Sequence, residues 1–359
     1  MSTRSKGSTP ATANKPKLTP KSKQKKTKPS ARETDDEADN ENYHSDALDE
    51  DSEDGHKRSK KRKRTSEVGK RTRTPRKKAK ADSDEEEFNL KDGQEIVGMV
   101  VQAPKTGKVP AGQISRNTFD FLTHLKDPKC NDREWFKLHD PVYRQAEKEW
   151  KDFVEAFTDR LVEVDAQIPP LPPKDVIHRI YRDTRFSNDK TPYKQGLSAS
   201  FSRSGRKGIF SMYHVMIKPG DHSMFAAGSW CPGKNELDTI RSNIQRDSTR
   251  LRQVISAPAF VKYFGKPESH PEGGRRNIFG RDDELKVAPK GVAKTHPDID
   301  LLKCRSFCVS HQFTDEQVLA SDFINTLVEM INVAMPLVHC LNDMMTMVQD
   351  VEEESENEE

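Results

Sequence analysis

The fold class is decided at residues 169–173, Pro169-Pro170-Leu171-Pro172-Pro173, because the hydrophobic period changes there. Before this run, apolar residues recur every three or four positions, which is the period of an amphipathic helix. After it, the period becomes two, which is typical of strands. Proline lacks a backbone N–H and restricts the residue before it, so the run ends the helical half and turns the chain.

Three helices are predicted before the proline run. Ser115 is a candidate N-cap for the first helix, and Asn131 or Asp132 for a short second helix. Asp140-Pro141 begins a longer third helix, with Pro in the first turn. The apolar stripe of the third helix predicts a core face and contains Val142, Ala146, Trp150, Phe153, Phe157, Leu161 and Val164.

Four strands are predicted after the proline run, over residues 176–181, 197–201, 209–217 and 224–230. The third strand has apolar residues on both faces: Ile209, Tyr213, Val215 and Ile217 on one, Met212, His214 and Met216 on the other. We therefore expect a central strand that is covered on both sides.

The C-terminal part returns to the helical period. A helix is predicted after Asn235, with the stripe Leu237, Ile240, Ile244, Leu251, Val254 and Ile255. Residues 265–297 predict a long surface loop, and another strand lies between residues 301 and 313. Thr314-Asp315-Glu316-Gln317 is a capping box that opens a helix through Met335, and Pro336 is expected to end or kink it before a last helix.

Helices, then strands, then helices predict an α+β fold with a mostly antiparallel central sheet flanked by N-terminal and C-terminal helices. We assign residues 1–110 to a long disordered arm, residues 111–349 to a single α+β domain, and residues 350–359 to an acidic disordered tail. Only 32% of the residues are apolar and 33% are charged, whereas a typical globular protein is more apolar and less charged. This composition indicates one ordinary folded domain together with segments that have too little apolar surface to fold.

The arm is a polyampholyte with alternating basic and acidic blocks. It carries +6 over residues 1–90, and the tail carries −7, so the domain itself is close to neutral within the total of +3. Two dense basic clusters in the arm resemble nuclear-import signals: Lys57, Arg58, Lys60, Lys61, Arg62, Lys63 and Arg64, then Arg76, Lys77 and Lys78. We expect a nuclear import receptor as a partner and the nucleus as the location, otherwise the cytoplasm. The alternative interpretation is that the basic clusters bind no receptor and only keep the arm solvated.

Cysteine usage and hydropathy suggest an intracellular protein without a membrane partner. The five cysteines are an odd number and are read as reduced thiols. Only Cys304 and Cys308 lie close in sequence, and no second pair has a zinc-site spacing, so no metal and no cofactor are expected. No apolar run approaches the roughly 18 residues of a membrane span.

One polar segment, residues 179–194, concentrates the candidate ligand-binding side chains. An anion site is predicted from Arg179, Arg182, Asp183, Arg185, Asp189, Lys190, Tyr193 and Lys194. Arg offers a planar donor fork suited to phosphate or carboxylate, and the two aspartates can hold the cations in place. Two alternatives stay open: the charges neutralise one another and staple the loop to the sheet, or the cations and aromatic rings bind nucleic acid.

No catalytic set is predicted. The sequence has no Gly-rich phosphate loop, nucleophile elbow or zinc-protease motif. Three hypotheses therefore remain: a nuclear protein that binds a small anionic or phosphorylated ligand, a nucleic-acid-associated module using the basic arm for weak non-specific affinity, and an enzyme with groups from Asp183, Asp189 and Tyr193, completed by His214.

The sequence resembles the domain of unknown function 2461 family over roughly residues 114–345. The resemblance rests on blocks in the expected order at residues 119–125, 131–136, 179–194, 217–220, 228–232 and 301–303. It implies an α+β domain found in bacteria and fungi and implies no activity. The arm resembles a fungal-type addition to this domain.

The import prediction can be tested by replacing the Lys and Arg residues of both clusters with Gln. The protein should then move from the nucleus to the cytoplasm, because the receptor contact depends on cationic charge. Imaging of a fluorescently tagged full chain measures the change. Replacing the Lys residues between Lys15 and Lys28 is the control and should leave the protein nuclear; an unchanged location of the first variant would contradict an import role.

Overall fold

The computed structural model describes residues 98–268 and 274–346. The predicted import clusters, the predicted arm up to residue 97 and the acidic tail lie outside the described residues. Residues 98–110 carry no helix or strand and lead into the domain, where the Val101 N–H donates to the Leu138 carbonyl at 2.8 Å.

The helical half forms as its caps and stripe predict. Its helices are α1 (Arg116–His124), α2 (Arg133–Leu138), α3 (Asp140–Val164) and the short α4 (Pro173–Val176). The Ser115 hydroxyl accepts from the Thr118 N–H, and the Asp132 carboxylate accepts from the Glu134 and Trp135 N–H groups. The predicted stripe of α3 supplies the large buried side chains Trp150, Phe153, Phe157 and Leu161.

The strands form one antiparallel sheet in sequence order. They are β1 (Ile177–His178), β2 (Leu197–Phe201), β3 (Met212–Ile217), β4 (Ser223–Ser229) and β5 (Phe307–Phe313). β3 is the central strand, with Tyr213 opposite Ala227 and Val215 opposite Phe225. The predicted α+β class with an antiparallel sheet and flanking helices is therefore confirmed.

The expectation that β3 is covered on both sides is confirmed in full for one face and only in part for the other. Burial alternates along the strand, with Tyr213, Val215 and Ile217 buried and the three residues between them only half-buried. The helix α3 packs on the first face, where Phe157 contacts Phe201 and Asp165 accepts from the Tyr213 hydroxyl. We call the other one, which carries Met212, His214 and Met216, the half-open face.

The predicted start of the same strand is wrong. Ile209 lies outside β3 and is 49% exposed, because a turn occupies residues 202–210. Gly205 has a φ of 77° and lies so close to the Asp175 carbonyl that a Cβ would approach the oxygen to 2.7 Å. This turn carries Ile209 away from the sheet before β3 begins.

The C-terminal helices are more divided than predicted. They are α5 (Lys234–Arg246), α6 (Thr249–Ser256), α7 (Pro258–Phe264), α8 (Ile299–Lys303), α9 (Asp315–Leu319) and α10 (Phe323–Thr346). The single helix predicted after Asn235 is split at Asp247, whose carboxylate accepts from the Thr249 N–H at 2.9 Å and starts α6. The predicted surface loop is irregular where it is described, but it buries Ile278 and Phe279.

The capping box is confirmed, whereas the helix after it is not continuous. The Thr314 hydroxyl accepts from Gln317 and the Gln317 side chain accepts from Thr314, but α9 ends at Leu319 and α10 starts anew at Phe323. Pro336 lies inside α10 and does not end it. Proline removes one helical hydrogen bond, and burial of Leu337 and Val338 just beyond it favours continuation.

α10 is the central helix of the domain. By length and composition alone it is long and apolar enough to cross a membrane, so the expectation that no apolar run approaches that length is wrong. In this structure it packs on β4, α3, α5 and α6, and its buried residues include Leu327, Ile331, Leu337 and Leu341. These contacts account for its apolar composition.

A buried carboxylate joins the helical half, the sheet and α10. The Asp165 side chain, just after α3, is fully buried. It accepts from the Tyr213 hydroxyl of β3 at 2.7 Å, is bonded to Nε2 of His339 on α10 at 2.9 Å, and accepts from the Gln167 N–H at 2.9 Å. A buried charge is tolerated where hydrogen bonds replace its hydration.

Removing one of these donors should destabilise the whole domain. Tyr213→Phe deletes the hydroxyl that faces the carboxylate, and a hydrogen bond to a charged group contributes about 1.5–3 kcal/mol. Urea unfolding followed by circular dichroism should show a loss of that size. Tyr263→Phe, at a half-buried tyrosine, is the control and should change the unfolding free energy by less than about 0.5 kcal/mol. Equal effects would rule out a special role for the buried bond.

Candidate functional site

Residues 179–194 form a hairpin-like excursion between β1 and β2, which we call the cationic hairpin. Tyr181 and Tyr193 are antiparallel bridge partners at its base. The Lys194 N–H donates to the Ile180 carbonyl at 2.7 Å, and the Arg182 N–H donates to the Pro192 carbonyl at 2.9 Å. The predicted site residues are thereby brought onto one closed loop.

The base of the cationic hairpin is clamped to the helical half by Asn131. Its side-chain amide donates to the Tyr193 carbonyl at 3.0 Å, and its oxygen accepts from the Tyr193 N–H at 3.1 Å. The same amide donates to the Leu125 carbonyl at 2.8 Å. The Tyr193 ring stacks on Phe136 at 3.9 Å between centroids, and burial raises the pKa of its hydroxyl.

Asp189 organises one side of the hairpin tip. Its carboxylate accepts from the Thr191 N–H at 2.9 Å and pairs with the Arg182 guanidinium, which also donates to the Thr191 hydroxyl at 2.5 Å. These donors, the Thr191 N–H first and Arg182 second, lower the pKa of Asp189 to about 2.

Asp183 organises the other side. It accepts from Nη2 of Arg185 at 2.7 Å and from Nε at 3.0 Å. The Arg185 side chain, followed by the Arg185 N–H, lowers the pKa of Asp183 to about 2. Lys190 donates from Nζ to the Thr184 carbonyl at 2.9 Å. Arg182, Arg185 and Lys190 are thus each engaged within the hairpin, and their direct contact with a ligand stays a prediction.

The two remaining cations lie at the hairpin base. The positive charge of Lys194 is among the causes that lower the pKa of His214, so the two side chains interact electrostatically. The charge of Arg179 contributes to the low pKa of Asp183. Lys194 therefore connects the cationic hairpin to the half-open face of the sheet.

A chain of three hydrogen-bonded side chains crosses that face. Nε2 of His178 lies 2.8 Å from the Ser200 hydroxyl, which lies 2.8 Å from Nδ1 of His214. These residues belong to β1, β2 and β3, and the strand register brings them together. One hydroxyl proton serves two imidazoles, so one imidazole donates to Ser200 while the other accepts from it.

His214 is neutral at physiological pH. Burial first, and then the charges of His178 and Lys194, lower its pKa to about 3. A neutral imidazole keeps one ring N–H and one acceptor nitrogen, which suits a polar ligand next to a cation.

Two further histidines and the close cysteine pair have local roles. His139 stacks on Trp135 at 3.7 Å, and His296 accepts from the Asp298 N–H at 3.0 Å. Cys304 and Cys308 are buried, and burial raises the pKa of both thiols. Over residues 98–268 and 274–346, no cluster of three or more His, Cys, Asp or Glu side chains is arranged to hold a metal ion.

Sequence reasoning missed two parts of this site. Asn131 was considered only as a helix start, and its partner Tyr193 lies 62 residues away. The bonds of Ser200 depend on the register of three strands, which no local pattern encodes. His214 was found, because the period of β3 distinguishes the two faces.

Comparison with known proteins identifies a family and no individual relative. The family model described as conserved hypothetical protein (DUF2461) matches residues 117–340, well over half of the chain. No curated protein and no solved structure matches.

The low pKa of His214 predicts a specific dependence of stability on pH. An unfolded histidine has a pKa near 6.5, so between about pH 6.5 and 3 the unfolded state binds the proton that folded His214 excludes. Stability should therefore decrease as the pH is lowered through that window, by up to about 1.4 kcal/mol per pH unit. His214→Gln removes this contribution, so the variant should lose less unfolding free energy between pH 6.5 and 5.

Chemical denaturation at several pH values measures the difference. His222→Gln is the matched control, because His222 is exposed, and it should follow the native pH dependence. If His214→Gln also follows the native curve, His214 is not held neutral by burial.

Proposed function

We propose that this chain, which belongs to the DUF2461 family of conserved hypothetical proteins, binds a small anionic ligand of the phosphate or carboxylate class. The proposed site is the base of the cationic hairpin, where Lys194 adjoins His178 and His214 on the half-open face. The observation that carries the proposal is the meeting of a cation and two hydrogen-bonded imidazoles on a sheet face that no helix buries completely.

Local electrostatics support an anion and not a cation. Besides burial, the causes that lower the pKa of His214 are electrostatic interactions with His178 and with the Lys194 ammonium, and no carboxylate is among them. Burial strengthens such a field, because less water screens it. A ligand oxyanion placed there would gain a charge-assisted bond from Lys194 and a neutral N–H donor from an imidazole.

The tip of the cationic hairpin supports the site by holding its shape. Asp183 and Asp189 fix Arg185 and Arg182, and Asn131 with Phe136 fixes Tyr193. A preorganised loop loses little conformational entropy when a ligand binds. In this proposal Arg179 and Lys194 supply charge at the base, and the tip residues orient the loop.

The pKa values favour binding over acid–base catalysis by the hairpin carboxylates. At about 2, Asp183 and Asp189 stay ionised near neutral pH and are poor general acids. Burial raises the pKa of Tyr193, so its hydroxyl stays protonated. The nuclear location belongs to the same proposal but rests on the arm sequence alone.

Titration of the full chain with inorganic phosphate tests the site. Lys194→Gln removes the cation while keeping a polar side chain, so the dissociation constant should rise about 10- to 100-fold, as expected for loss of a charge-assisted bond. Isothermal titration calorimetry measures it. Phosphate should also shift the ring ¹⁵N resonances of His214, because a new hydrogen bond to the ring N–H changes the shielding of the ring nitrogens.

Lys207→Gln provides the matched control, since Lys207 is an exposed lysine in the turn before β3. It should bind phosphate as the native chain does. Equal weakening by both substitutions would point to diffuse charge effects, and no change with Lys194→Gln would reject this site.

A further inference from the structure

We infer that the tip of the cationic hairpin is a stacking platform for single-stranded nucleic acid, with Phe186 against a base and Arg185 and Lys190 beside the neighbouring phosphates. This inference concerns the tip and a polymer, whereas the small-anion site lies at the base. The two are independent, and either can fail alone.

The first observation is an aromatic ring that is not buried in the folded domain. Phe186 is 87% exposed, although burying such a ring is worth about 1.5–3 kcal/mol. Its neighbours Arg185, Ser187 and Asn188 are polar, so it is a single ring and not part of an apolar patch of the size that protein partners cover. A single exposed ring with polar neighbours matches the needs of one nucleobase.

The second observation is that internal bonds cross the tip. Two carboxylate–guanidinium pairs and the Lys190 bond to the Thr184 carbonyl span it, and Asn131 fixes its base. The Phe186 ring is held beside a fixed partner, because the Arg185 guanidinium carbon lies 5.7 Å from the ring centroid. An ordered ring binds without the entropic cost of immobilising a loop.

The third observation is charge. The hairpin has five cationic and two anionic side chains, a net charge of +3. Arg185 uses Nε and Nη2 for Asp183, and Nη1 has no partner within the described part of the chain. Lys190 is exposed and uses one of its three N–H groups for Thr184. Donors therefore remain on both sides of Phe186 for a phosphate backbone.

A single strand fits better than a duplex. Bases in a duplex are already stacked on one another, whereas unpaired bases can turn outward onto a protein ring. Stacking of this kind tolerates any base, so the tip would distinguish single strands from duplexes but would not distinguish one base sequence from another. The basic arm would add non-specific, salt-dependent affinity.

Fluorescence anisotropy of the full chain with a short labelled oligothymidylate tests the inference. Phe186→Ala should raise the dissociation constant about 5- to 100-fold, the usual effect of losing one stacked base. Phe186→Trp keeps a stacking surface and should retain native affinity. Trp230→Ala, which removes an exposed aromatic ring outside the hairpin, is the control and should leave affinity unchanged.

The same experiment distinguishes binding by the hairpin tip from binding by the arm, and single-stranded nucleic acid from other partners. Neutralising the arm clusters with Gln should flatten the salt dependence but preserve the ratio between native and Phe186→Ala affinities. With duplex DNA that ratio should be close to one. Equal oligothymidylate affinity of the native and Phe186→Ala proteins overturns the inference. So does a Phe186 effect seen only with vesicles containing anionic lipid, which would assign the tip to a membrane surface.

Discussion

The packing of this domain depends on one fully buried carboxylate. Asp165 ends the longest N-terminal helix, yet its three hydrogen bonds reach the central strand through Tyr213, the C-terminal helix through His339, and the following turn through Gln167. An uncompensated charge at that depth would cost several kcal/mol. The sheet and the helices must therefore pack so that all three donors reach Asp165. This requirement places the Tyr213 face of the sheet against the helices.

The other face follows from that arrangement. With the helices committed to Tyr213, Val215 and Ile217, the residues between them stay half-buried, and histidines and serines are tolerated there. The loop between the first two strands is a hairpin-like excursion and not a tight turn. Its base is attached to Asn131 and Phe136, and the charge of Lys194 at that base contributes to the low pKa of His214.

Features set by neighbouring residues were predictable from the sequence, and features set by distant ones were not. The caps at Ser115 and Asp132 and the capping box at Thr314 depend on groups three residues away, so their patterns were sufficient. The position of Ile209 outside the sheet depends on a turn in which Gly205 lies against the carbonyl of the distant residue Asp175. The continuation of α10 through Pro336 depends on the burial of its side chains among other elements of the domain.

The candidate site shows the same division. The cationic segment is evident from composition alone, because five positively charged side chains within sixteen residues are unusual. Which carboxylate holds which guanidinium, and which hydroxyl lies between His178 and His214, depend on loop closure and strand register. The sequence was sufficient to identify the charged and polar residues of the candidate site. Their hydrogen-bond and ion-pair partners are determined by the three-dimensional packing.

The clamp on the loop has a consequence for substitutions in it. Asn131 binds the main-chain N–H and C=O of residue 193, groups that every amino acid except proline possesses. These two bonds therefore do not depend on the side chains of residues 182–191. Changing the chemistry of the hairpin tip leaves this attachment of its base in place.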